Sequence, residues 1–293
     1  MSAYPDYLPL GPGPRPIDGA DLLARVRAVA GDQGLGGALA AGMDAVLAGT
    51  TVILDGDDVT SAVVDATGVV IPESAFTSAA TADAADLTDL PAVVGETRGT
   101  MHLGTFQAHP ITVADVPVEI DAEVRDLPLR WIDAADGTVG VEPLPPTAEH
   151  PVTGHLRVSA PKAAVLDAVR RVATAVLAEQ GVTLVRLDVE LTSTGPREVR
   201  LRAEAKLRRG ILSASAHASG TATVDSALVL RFSDVSLGSA NPIVAGLLAV
   251  ARSRVQEATR RPIDLAEQLP PGVRVADVRL DAGTELVLSA RLA

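Results

Sequence analysis

The sequence predicts an α+β fold in which a long, curved antiparallel β-meander packs on, or wraps around, apolar helices. Three observations predict it. Long segments of the second half alternate apolar and polar residues with period two, separated by short turns. Other segments repeat apolar residues at intervals of three and four, as amphipathic helices do. The apolar content, 47% of 293 residues, is mainly Ala, Val and Leu, with aromatics at 2%. A core of such small side chains can leave room for an apolar guest.

Residues 1–18 are rich in Pro and Gly and read as an extended arm. The arm lacks a periodic apolar stripe, so the expectation is that folding does not need it; Tyr4 and Tyr7 are candidates to anchor it to the body or to a partner. From Gly19 to Gly49 the pattern is helical. Leu22, Leu23, Val26, Val29 and Ala30 form one stripe, and Leu39, Met43, Val46 and Leu47 a second. The glycines at 31, 34, 36 and 37 break it, and without a preceding strand or a Lys-Ser/Thr they make a helix–helix turn rather than a phosphate loop. Residues 50–132 read as strands and turns, with 77–89 a short helix or loop. The clearest strand is 116–124, where Val116, Val118, Ile120, Ala122 and Val124 alternate with Pro117, Glu119, Asp121 and Glu123. Pro117 suggests a sheet edge. Residues 133–151, with four prolines, read as a connector.

The second half is more strongly patterned. Pro161 opens a helix with Val165, Leu166, Val169, Val172, Ala173, Val176 and Leu177 on one face, and Gly181 closes it. Strands follow: Val185, Leu187, Val189 and Leu191 face inward, then, past Gly195-Pro196, Val199, Leu201, Ala203, Ala205 and Leu207. Past Arg209-Gly210 come Leu212, Ala214, Ala216 and Ala218, and then Leu228, Leu230 and Phe232. Asn241-Pro242 caps a last helix carrying Ile243, Val244, Leu247, Leu248, Ala251 and Val255. Strands 273–280 and 285–292 close the chain. Each half thus begins with an apolar helix and continues into strands. The expected organisation is an arm, 1–18, and one domain, 19–293, with halves at 19–150 and 151–293.

An apolar helix, a meander of one-sided strands, a second apolar helix and a closing Leu269-Pro-Pro-Gly-Val-Arg-Val-Ala-Asp-Val-Arg-Leu-Asp-Ala-Gly283 with its terminal strand resemble the tubular lipid-binding (TULIP) folds. Within them the chain is most similar to the actinobacterial LmeA-type phospholipid-binding family, over Thr97–Trp131, Leu156–Phe232 and Leu269–Leu292. The resemblance implies a curved sheet around a long helix, enclosing an apolar groove for acyl chains. Members of that family are typically exported or membrane-anchored. Here the first residues lack a basic-then-apolar leader and no run reaches the roughly 20 apolar residues of a span, so the expected location is the cytoplasm or the membrane periphery.

Charge and chemistry exclude other classes. The net charge is −12, and residues 1–150 carry 23 acidic side chains against six basic ones, while residues 151–293 carry 14 against 19. That balance, with few aromatics, disfavours nucleic acid. The absence of cysteine removes disulfides, thiolate metal sites and thiol nucleophiles. The five histidines, at 102, 109, 150, 155 and 217, form neither an HExxH nor an i,i+4 pair. Asp55-Gly-Asp-Asp58 lacks the calcium-loop spacing and reads as a hairpin turn. No Gly-x-Ser-x-Gly elbow occurs. The sequence therefore predicts no catalytic residue, cofactor or metal. The expected function is non-enzymatic binding or transfer of a lipid- or fatty-acid-like ligand, with peripheral membrane contact compatible. The groove would be lined by Val185, Leu187, Val199, Leu201, Leu228, Leu230, Phe232, Leu247 and Leu248. The alternatives are an interaction or scaffold module with a filled core, and an enzyme acting on a lipid-linked substrate.

Overall fold

The computed structural model describes residues 7–32, 38–72, 90–147, 150–179, 181–209, 212–225, 228–239, 263–264 and 274–292. Tyr4, the 33–37 break, the 77–89 stretch and the helix expected after Asn241-Pro242 lie outside these residues. The protein is mixed α/β and mostly strand. It divides into two compact units: Met1–Val158 with Pro270–Ala276 and Arg291–Ala293, and Ser159–Leu269 with Asp277–Ala290. The division falls inside the strand Thr153–Pro161.

The first unit begins with β1 (Leu8–Pro12), α1 (Gly19–Asp32) and α2 (Ala38–Ala48). β2 (Thr50–Asp55), β3 (Asp58–Asp65) and β4 (Val70–Ile71) follow, then the long strands β5 (Val93–Val113) and β6 (Val116–Ala134) and the short β7 (Thr138–Pro143). β8 (Thr153–Pro161) starts in this unit. The strands lie in the order β8-β6-β5-β3-β2, with β7 also on β6, β1 on β7 and β4 on β5. β5 and β6 form an antiparallel hairpin, whereas β3 and β4 run parallel to β5.

Local chemistry sets these elements. Asp18 caps α1 by accepting from Asp21 N at 2.8 Å, and the Asp21 carboxylate accepts from Ile17 N, just before the cap, at 3.3 Å. Asp55-Gly-Asp-Asp58 is the hairpin turn its composition predicted: Asp55 pairs with Asp58 and Gly56 has φ 60°. The β5–β6 turn places Ala114 and Asp115 at φ 48° and 64°, a two-residue conformation that normally selects Asn-Gly. α1 packs Leu22 and Val26 on a cluster built around Val59, Leu129 and Trp131. Val46 of α2 packs on Ala66, Val69, Ala108 and Ile111. Asp126, at φ 56°, separates two apolar sets of β6. Before it, Val118 and Ile120 join the α2 cluster; after it, Leu129 and Trp131 join the α1 cluster.

Three expectations for this half are corrected. The arm is part of the sheet: Leu8 pairs with Val141 and Pro9 with Gly140, and Tyr7 and Leu10 are 2% and 1% exposed. Two large side chains outweigh the Pro/Gly composition because each removes much apolar area from water. Segment 133–151 holds β7, because Val139 and Val141 pack on the α1 cluster. Pro117 does not mark a sheet edge. β6 has neighbours on both sides, and Pro117 is tolerated because it is the second residue of the strand, next to the turn.

In the second unit α3 (Lys162–Glu179) precedes an antiparallel sheet of β9 (Thr183–Gly195), β10 (Glu198–Arg209), β11 (Leu212–Val224), β12 (Val229–Ser239) and the two-residue β13 (Ile263–Asp264), in the order β13-β12-β11-β10-β9. The closing hairpin, β14 (Val275–Ala282) and β15 (Glu285–Leu292), is shared between the units. Pro161 and Gly181 bound α3 as the sequence predicts, Gly181 at φ 68° and Val182 N donating to Leu177 O at 2.9 Å.

Candidate functional site

The inner face of β9–β12 is where the sequence-predicted lining falls. Register assigns the faces. Across β10 and β11, Leu201 opposes Gly220, Ala203 opposes Ala218, Ala205 opposes Ala216 and Leu207 opposes Ala214. On the other side of β10, Leu201 opposes Leu191, Ala203 opposes Val189 and Ala205 opposes Leu187. Across β11 and β12, Ala218 opposes Leu237, Ala222 opposes Phe232 and Val224 opposes Leu230. β11 therefore contributes a row of small groups, Ala214, Ala216, Ala218, Gly220 and Ala222. On β10 it is flanked by Val199, Leu201, Ala203, Ala205 and Leu207, so the small groups extend onto that strand between two leucines, and on β12 by Leu230, Phe232 and Leu237. Walls two strands apart stand about 9.5 Å from one another, and the floor runs about 27 Å along β11.

α3 closes only one end of this trough. Val182, Leu207 and Ala216 form a buried cluster with Leu177, Leu184 and Ala205 packed on it. The helix is fastened to the open edge of β9 by side chains: Lys162 Nζ donates to Leu191 O at 2.6 Å and to Ala282 O at 3.3 Å, and Arg170 Nη2 donates to Leu187 O at 3.2 Å. These bonds satisfy carbonyls that an edge strand otherwise turns to water. Away from the cluster the face is partly exposed: Leu201 and Phe232 are each 37% exposed, and Leu187, Val189 and Leu191 are half-buried.

Of the predicted lining residues, Leu187, Val199, Leu201, Leu230 and Phe232 share the inner face. Leu228 is buried at φ 63° just before β12. Val185 does not point inward as the alternation predicted. The pairing slips between Lys206–Arg186 and Leu207–Leu184, so Val185 is the extra residue of a bulge and is 51% exposed, while Leu184 takes the inward place. Leu247 and Leu248 lie outside the described residues.

Arg279 and Arg197 both bond Asp277, and together they hold its carboxyl below the ordinary aspartate value. In the first unit His102 stands between two carboxylates, with Nε2 3.5 Å from Asp58 Oδ2 and Nδ1 3.5 Å from Asp126 Oδ1, and His109 Nε2 is 3.1 Å from Asp121 Oδ1. Sequence reasoning missed these pairs because the partners come from different strands. The two carboxylates of His102 meet opposite ring nitrogens, so they do not converge on one point. Among the described residues no group of three or more His, Asp or Glu could hold a metal, and no helix is long and apolar enough to cross a membrane.

Comparison with known proteins finds no matching family model, no matching curated protein and no matching solved structure.

Proposed function

We propose that the second unit binds the chain of a lipid- or fatty-acid-like molecule along its inner face, as the resemblance to tubular lipid-binding proteins implies. The single observation that carries this reading is the row Ala214–Ala222, a floor of small side chains that continues onto Ala203 and Ala205, bordered by Leu201, Leu207, Leu230 and Phe232 and partly exposed away from α3. A face with such a floor has room for a methylene chain. Each buried methylene stabilises the complex by about 0.8 kcal/mol, so affinity rises about fourfold per added carbon until the trough is full. A sheet wrapped around the helix belongs to this proposal.

The test is a displacement titration of an environment-sensitive fluorescent fatty acid on delipidated protein, repeated with saturated acids of increasing length. The expected result is saturable binding that tightens with length and weakens at least about tenfold in Ala218→Trp, which fills the floor. Arg200→Gln, on the opposite face, is expected to bind as the parent does. Absence of saturable binding, with no lipid released by organic extraction of the purified protein, overturns the reading in favour of a scaffold with a filled core.

A further inference from the structure

The outer face of the same sheet carries a separate feature. A depression of about 600 Å³ opens there, lined chiefly by Arg186, Asp188, Glu204, Lys206, Ser215 and His217. Its charges are sorted by row. Lys206 stands directly opposite Arg186 and, on the other side, Ser215; Glu204 stands opposite Asp188 and His217. Like charges placed opposite one another destabilise an antiparallel pair, and exchanging Asp188 with Arg186 would have made both rows ion pairs. Instead Arg186 Nε bonds Asp188 Oδ2 at 2.6 Å along its own strand, and among the described residues Lys206 and Glu204 have no ion pair or side-chain hydrogen bond. The His217 ring lies over Gly238, where a Cβ would come within 2.8 Å of Cε1 and Nε2, so the wall beside Glu204 is formed by a ring seated on bare backbone.

We infer that this depression binds a small zwitterion, an anionic phosphate or carboxylate at Lys206 and Ser215 and an ammonium at Glu204. The rows are one dipeptide apart, about 6.7 Å along the strand. That spacing fits a ligand whose charges are separated by a short chain and excludes an α-amino acid, whose charges sit on one carbon. Phosphoethanolamine has the required form, free in solution or as a phospholipid headgroup. The inference does not rest on the trough, which lies on the other face and presents carbon.

The experiment is isothermal titration of the full chain with O-phosphoethanolamine, inorganic phosphate, ethanolamine and glycine. The expected result is saturable binding of phosphoethanolamine, at least about tenfold tighter than of phosphate or ethanolamine, with glycine inert. Lys206→Gln and Glu204→Gln, each verified as folded by circular dichroism, are expected to weaken it about tenfold, and Arg200→Gln to leave it unchanged. Cosedimentation with phosphatidylethanolamine vesicles, lost in the same two variants, identifies the headgroup as the source; binding of the soluble compound without cosedimentation identifies the free zwitterion. Phosphate binding as tightly as phosphoethanolamine, or no saturable binding of either, overturns the inference.

Discussion

Tyr7 lies over Gly140: a Cβ at position 140 would stand 2.3 Å from Tyr7 Cδ2 and 2.9 Å from Leu8 O. The tyrosine ring packs on the strand it flanks because that strand has no side chain there, and its hydroxyl reaches Pro91 O at 3.1 Å. Gly140→Ala is expected to lift β1 from β7 and destabilise the protein by about 1–3 kcal/mol. Deleting residues 1–12, which also removes Leu10 from its cluster, is expected to cost more, since a buried leucine alone is worth about 2–5 kcal/mol. Urea denaturation followed through Trp131, the single tryptophan, checks both. Unchanged midpoints would mean the arm is not part of the fold.

The bulge in β9 separates neighbours that simple alternation would treat alike. Val185→Lys is expected to change stability by less than about 0.5 kcal/mol, because the side chain already faces solvent. Leu207→Ala, in the cluster beneath α3, is expected to cost about 2–5 kcal/mol, and Leu201→Ala on the same strand and face clearly less. Thermal melts of the three variants rank them. Equal losses at 201 and 207 would show that the trough is filled.

Lys162 ties α3 to the edge of β9 and to β14 through Leu191 O and Ala282 O. Lys162→Met keeps the stem and removes the donor. The expected cost is about 1–3 kcal/mol, from two carbonyls left without that partner. Hydrogen exchange resolved by peptide should quicken over 162–179 and 183–195 and stay unchanged in β5 and β6. Uniform quickening would mean that the helix is held by something other than this lysine.

Arg15 bonds Asp133 through Nη2 at 2.8 Å and Nε at 3.4 Å. The hydrogen bond from Arg15 is the main reason the Asp133 carboxyl lies below its ordinary value of 3.8, outweighing the opposing effect of burial. A carboxyl depressed in the folded state binds protons more readily when unfolded. The pair's contribution is therefore complete above the ordinary value and is lost as pH falls through the folded one. Asp133→Asn is expected to lower stability by up to about 1 kcal/mol at neutral pH, since the pair is partly exposed. Urea midpoints measured against pH should converge for parent and variant once the pH has fallen through the folded-state value of Asp133. A difference that persists in acid would assign the effect to packing.

What the sequence determined by itself was local. Pro161 and Gly181 bounded α3, the alternation from 187 to 207 assigned two faces to β9 and β10, and Asp55-Gly-Asp-Asp58 closed a hairpin, because each signal is contained within a few residues of backbone geometry. Tertiary pairing decided the rest. β1 is five residues long and finds its partner in β7, so no periodicity could reveal Tyr7 and Leu10 as core. Val185 turned outward because the β9–β10 register slips by one residue, and a slip of one exchanges the faces of a strand. His102 acquired two aspartates only when β3, β5 and β6 came together. The sequence showed that Leu201 and Phe232 belong to an apolar face; only the folded chain showed that α3 leaves them partly uncovered, because burial is a property of what packs against a residue.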